Sequence, residues 1–125
     1  MIQALLALAL SVFAGTPTAE PAPVAQDAAR RIPVLIVTGD NNHDWRWTST
    51  KMRQMLHDSG KFQVEVSIYP SGFMMNRADL ERFEVIVLDY NGQRWGEAAE
   101  KNFLEVVQAG TGVVVVHAAN NAFPG

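Results

Sequence analysis

The chain has 125 residues, no cysteine and a formal net charge of −3. That length accommodates one domain at most. Lys and Arg are scattered, adjacent only at Arg30-Arg31, so there is no clustered basic face for a nucleic acid. The absence of cysteine excludes a disulfide framework, a thiolate metal site and a thiol nucleophile.

In chain order, Ile2 to Ala14 comes first and is apolar apart from Gln3 and Ser11. Thirteen residues are too few to span a bilayer as a helix. A short apolar core followed by small residues reads as an export signal. Val12-Phe13-Ala14 offers one cleavage pattern and Ala19 a second, disfavoured by Pro17 three positions before the cut. No Lys or Arg precedes the apolar run, which is atypical for a signal. The competing reading is a buried helix of the domain. Pro17, Pro21 and Pro23 lie among Ala and Thr, a composition that cannot bury a core. The expected organisation is a signal peptide over 1–19, a Pro/Ala-rich linker over 20–31 and a domain over 32–125. Secretion or a periplasmic location follows from it, with no membrane span once the signal is removed.

From Ile32 the pattern alternates between strand and helix. Ile32 to Val37 is a nearly continuous β-branched run, with Pro33 early enough to cost little. Trp47 to Asp58 reads as a helix capped by Thr48, with Met52, Met55 and Leu56 as its apolar stripe and Gly60 past its end. Phe62, Val64, Val66 and Ile68 alternate with polar residues, giving a strand with one wetter face. Pro70-Ser71-Gly72 closes it, and Ala78 to Arg82 makes one helical turn. Val85 to Leu88 is a third strand. Glu97 to Gln108 is a second helix, with Ala99, Phe103, Val106 and Val107 on one face. Thr111 to Val116, with four successive valines, is a fourth strand.

Strands separated by helices imply an α/β fold with a parallel sheet. Only the second strand alternates, so it belongs at an edge. The order 2-1-3-4-5 of a flavodoxin-like, doubly wound sheet meets that requirement. It also asks for a fifth strand, whereas the sequence ends nine residues after Val116. Four valines on an uncovered edge are an aggregation hazard. The expectation is therefore an incomplete sheet, a fragment. The alternative is a complete small domain whose last strand a partner chain protects.

In such a sheet the ligand crevice lies beyond the carboxyl ends of the strands, where the strand order reverses. Three segments supply polar side chains there: Thr38 to Arg46, Asp89 to Gly92 and His117 to Asn121. His43, between Asn42 and Asp44, is a candidate base or metal ligand, or a loop histidine bonded to nearby backbone. His117 follows the fourth strand directly, at the type of strand-to-helix junction that carries nucleophiles in α/β enzymes. It is a candidate general base, or it simply holds the turn. Asp44 could orient an imidazole. His57, late in the first helix, is a surface residue. No H-x-x-x-H spacing is present, so no metal is assigned, and the sequence names neither a cofactor nor an oligomeric state. Trp45, Trp47 and Trp95 lie near the same rim, where aromatic faces stack on sugar rings while Asp and Asn bind hydroxyls. Taken singly, Trp47 and Trp95 are better read as residues that begin helices and cover the sheet. A second class of reading is a receiver-type signalling domain binding Mg²⁺ through Asp40 and Asp89. It asks for a paired acidic cluster after the first strand and a lysine after a fifth, and an export signal fits it poorly.

Val34-Leu35-Ile36-Val37-Thr38-Gly39-Asp40-Asn41-Asn42-His43-Asp44-Trp45 resembles the opening of the ThuA-like (trehalose utilisation) family, as does Gly110 to Phe123 downstream. The resemblance runs from about Ile32 to the C-terminus. It implies kinship with class I glutamine amidotransferase-like domains, whose cysteine nucleophile follows the strand that here leads into His117. With no cysteine in the chain, thiol-based glutamine hydrolysis has no nucleophile. It further implies a role in sugar metabolism, with trehalose or a keto-sugar derivative as the small-molecule partner, and a domain about twice this length. His43, Asp44, Trp45, His117 and Asn120 carry over residue by residue. The expected site is thus His117, His43 and Asp44 as catalytic groups, with Asp40, Asn42, Trp45, Asp89, Asn91 and Asn120 binding substrate. A non-catalytic sugar-binding or interaction module on the same fold is the alternative.

Overall fold

The computed structural model describes residues 30–123. The segment read as an export signal and nearly all of the linker lie outside them. Four strands form one parallel sheet: β1 (Ile32–Val37), β2 (Phe62–Ser67), β3 (Val85–Leu88) and β4 (Gly112–Val115), in the order β2-β1-β3-β4. Helix α1 (Trp45–Asp58) links β1 to β2. Two single turns, α2 (Pro70–Phe73) and α3 (Arg77–Leu80), precede β3, and α4 (Glu97–Gln108) links β3 to β4. A 3-10 turn follows over His117–Asn121. The order agrees with the flavodoxin-like expectation: the alternating strand β2 is at one edge. Among the described residues β4 forms the other.

The register explains the two cores. Leu35 lies beside Ile86, and Val34 and Ile36 lie beside Val85 and Val87. Alternation then sends Leu35, Val37 and Ile86 to one face, where they meet Met74, Leu80, Phe83, Trp95, Ala99 and Val106. Val34, Ile36 and Val87 go to the other face, against Met52 and Leu56 of α1. Each fully buried aliphatic side chain contributes about 1.5–3 kcal/mol through its removal from water.

Several boundaries differ from expectation. Helix α1 begins at Trp45, two residues early, and its cap is Asp44, whose side chain accepts from the Trp47 N–H at 3.2 Å. Thr48 lies inside the helix, its hydroxyl turned to Asp89. The apolar stripe runs through Ser49, Met52 and Leu56, whereas Met55 is exposed. The spacing of 49, 52 and 56 is what a 3.6-residue period places over the sheet; position 55 falls off that face. Pro70 opens α2 instead of only closing β2, because its missing N–H costs nothing at a first helical position. The turn expected from Ala78 is capped by Asn76 and spans Arg77–Leu80.

Candidate functional site

The rim at the carboxyl ends of β1, β3 and β4 is built by loops bonded to one another. The parallel ladder continues one residue past each strand: Thr38 N–H donates to Ser67 O, Asp89 N–H to Val37 O and Val116 N–H to Leu88 O, each at 2.9 Å. This fixes where the three loops start. Asp89, 3% exposed, then joins two of them. Its carboxylate accepts from the Thr48 hydroxyl at 2.8 Å, from Asn41 Nδ2 at 3.0 Å and, at the long limit, from the Thr38 hydroxyl at 3.5 Å. A buried carboxylate needs such donors, because leaving it unpartnered would cost several kcal/mol. Asp89 thereby ties the β3 loop to the β1 loop and to α1.

A second tie lies nearer solvent. Asn91 Nδ2 donates to Asn42 Oδ1 at 3.0 Å, and the Asn42 backbone N–H donates to Asn91 Oδ1 at 3.2 Å. Asn91 N–H donates to Asp40 O at 3.1 Å. The loops approach so closely that a Cβ at Gly92 would stand 2.2 Å from Asp40 Oδ2. Only glycine fits there without moving the Asp40 side chain. Tyr90, beneath them, donates its hydroxyl to Gln93 O at 2.7 Å. Burial, with the charge of Asp40 nearby, pushes its phenol above the ordinary range, so it stays neutral.

The two histidines meet above this frame. The His43 N–H donates to Asn41 Oδ1 at 3.0 Å, which ties its loop to the residue that holds Asp89. His117 begins the 3-10 turn with φ of 44°, in the left-handed region. For a non-glycine residue that conformation costs about 1–2 kcal/mol, and such strain clusters at functional sites. Their ring centroids lie 4.9 Å apart with planes tilted by 34°, and both residues are exposed. Residues 74 positions apart in sequence therefore face each other at one end of the sheet.

The other expected residues divide. Asp44 caps α1. Trp45 is half-buried, with the Arg46 guanidinium 4.1 Å from its ring centre, so one ring face is covered. Asn120 is exposed in the turn beginning at His117, and Asp40 is exposed beside Gly92. Trp47 is 61% exposed, whereas Trp95 is buried against Phe103 and Phe123. Sequence reasoning did not single out Thr38, Asn41 and Thr48 as partners of Asp89. Separations of 41 to 51 residues give no local signal for these bonds. Among the described residues no group of three or more His, Cys, Asp or Glu side chains is arranged to hold a metal ion. An apolar cleft of about 380 Å³ between α1 and β4 is lined by Val34, Val87, Val114 and Val116 and contains none of these polar side chains.

The chain is similar to two solved structures. One is a ThuA-like protein from Parabacteroides merdae ATCC 43184, 42% identical, with a TM-score of 0.68 over 75% of this chain and 35% of that one. The other is a ThuA-like protein from Bacteroides uniformis ATCC 8492, 23% identical, with a TM-score of 0.57 over 80% of this chain and 40% of that one, a likeness of fold alone. The chain thus spans between a third and two fifths of the length of these proteins. No functionally curated protein matches it. The family model described as "ThuA: Trehalose utilisation" matches residues 33–124. With both histidine-bearing loops, β2 to β4 and all of β1 but its first residue inside that match, the chain belongs to the ThuA family, whose role is in trehalose utilisation.

Proposed function

We propose that the rim is a carbohydrate site of an exported protein, and that His43 and His117 act there as proton-transfer groups on trehalose or a keto-sugar derivative. The observation that carries this reading is the meeting of the two imidazoles at the carboxyl end of the sheet, 4.9 Å apart, with the His43 loop held by Asp89 and the turn after β4 tied to the β3 loop through Phe123 N–H and Gly92 O. One imidazole takes a proton from a sugar hydroxyl or an attacking water, and the other returns a proton to the departing oxygen. Asn120 and Asp40, on the loops that carry the histidines, suit hydroxyls, and Trp45, in the groove between α1 and the end of β2, offers an apolar ring face to a sugar that extends that way. Asp89, with its carboxylate held by three donors, acts as the frame and not as a direct sugar ligand. The family's role supports the sugar class. The apolar run before Ala14 supports export, and no described helix is long and apolar enough to cross a membrane.

The test is turnover and binding of trehalose and of a keto derivative of it with the chain and with His43→Ala and His117→Asn separately. Loss of turnover by about 10²-fold or more with ligand binding retained is expected. Binding without turnover in the parent chain would favour the non-catalytic sugar-binding module. Failure of both sugars to bind would overturn the carbohydrate reading. Export is tested by fractionating cells that express the chain, where retention in the cytoplasm would refute it.

A further inference from the structure

We infer that Asn41 is a positioning residue: its side-chain amide links the buried Asp89 carboxylate to the backbone of His43 and so sets the point from which that imidazole reaches His117. The inference rests on the reading of His43 as a proton-transfer group and extends it to what aims that group. The chain of bonds starts in the sheet. Asp89 N–H donates to Val37 O at 2.9 Å, so its side chain leaves a fixed point at the end of β3. Asn41 Nδ2 donates to Asp89 Oδ1 at 3.0 Å, and Asn41 Oδ1 accepts from the His43 N–H at 3.0 Å. The amide is half-buried, whereas His43 beyond it is exposed. A shift of about 1 Å at a reacting group can cost about 10²-fold in rate, so this anchorage bears on the chemistry.

The two partners dictate which way the amide faces. A carboxylate only accepts and a backbone N–H only donates, so the group between them must offer a donor at one end and an acceptor at the other. Asparagine has both on one planar group. Aspartate has the same shape but only acceptors, and it would place a second carboxylate at hydrogen-bond distance from Asp89. Like charges that close repel, and Asp89 would lose one of its donors. Its other oxygen is occupied by the Thr48 hydroxyl at 2.8 Å and, at the long limit, by that of Thr38 at 3.5 Å. Exchanging amide and carboxylate between positions 41 and 89 therefore keeps every bond. The buried amide then donates to position 41 and accepts from Thr48, and the carboxylate at position 41 accepts from both sides.

The experiment compares the tag-free full chain with Asn41→Asp and with the double variant Asn41→Asp, Asp89→Asn at neutral pH. Two readouts need no sugar: solvent exchange of the His43 amide proton, and the nuclear Overhauser contact between the His43 and His117 rings. In the parent chain the His43 amide should exchange about tenfold or more slowly than an unbonded loop amide, a result that depends on no variant folding. Asn41→Asp should lose the ring contact, and the double variant should regain it. A packing role alone predicts no change in Asn41→Asp, because the two side chains have the same shape. With a sugar that the parent chain turns over, kcat should fall about tenfold or more in Asn41→Asp at unchanged KM and recover in the double variant. Absence of amide protection or of the ring contact in the parent chain, a ring contact kept in Asn41→Asp, or a double variant no better than the single one would each overturn the inference. A chain that turns over no sugar sinks the catalytic reading alone, and the two sugar-free readouts still decide the role of Asn41.

Discussion

Two runs of four apolar residues look alike in the sequence and meet opposite fates. Val34 to Val37 of β1 are at most 1% exposed, while Val113, Val114 and Val115 of β4 are 38%, 49% and 50% exposed. The first run has a strand on each side and helices on both faces. The second pairs with β3 alone among the described residues, and the cleft beside α1 opens over it. An apolar run states what a strand needs, and its neighbours decide whether the need is met. Stability in this chain is therefore concentrated around β1, and the β4 edge contributes little.

The sharpest way to break that comparison is at its buried end. Leu35→Ala or Ile36→Ala should cost about 2–5 kcal/mol, read as a fall in the denaturant midpoint at constant slope. Val87→Ala, on β3 between the two runs and 7% exposed, should cost about 1–2 kcal/mol. Val114→Lys should change stability by less than about 0.5 kcal/mol, and it should reduce self-association in light scattering by placing a charge on the edge. A loss of several kcal/mol there would mean that β4 is covered in solution and that the contrast is wrong.

A smaller effect tests the helix that joins β3 to β4. Glu100 caps the start of α4, accepting from the Trp95 and Gly96 N–H groups and pairing with Arg94. The Arg94 bond holds its carboxyl below the usual 4.5. A depressed folded-state pKa gives stability that is present above 4.5 and is lost as pH falls through the lower folded value. The thermal midpoint should therefore drop below pH 4.5 in the parent chain, and that part of the drop should vanish in Glu100→Gln.

The fold was legible where period and length speak directly. β1, β3 and α4 follow from runs and stripes, and the edge position of β2 follows from its alternation. The start of α1 was misjudged because Asp44 and Thr48 both suit a cap. Local rules do not say that Thr48 is needed 41 residues away by a buried carboxylate. The rim segments were legible from topology, since strand ends in a parallel sheet share one side. The division of labour within them was not. Whether Asp89 or Asn91 faces a ligand or a neighbouring loop depends on long-range bonds, and only folding reveals these.

The backbone at position 117 also limits what mutagenesis there can report. At φ of 44° asparagine and glycine enter at little cost, while β-branched residues are shut out. A saturation library at this codon would first rank substitutions by tolerance for a left-handed turn, and only then by chemistry. Chemical roles at this residue are best separated by comparing histidine with asparagine, two side chains that the same turn accepts.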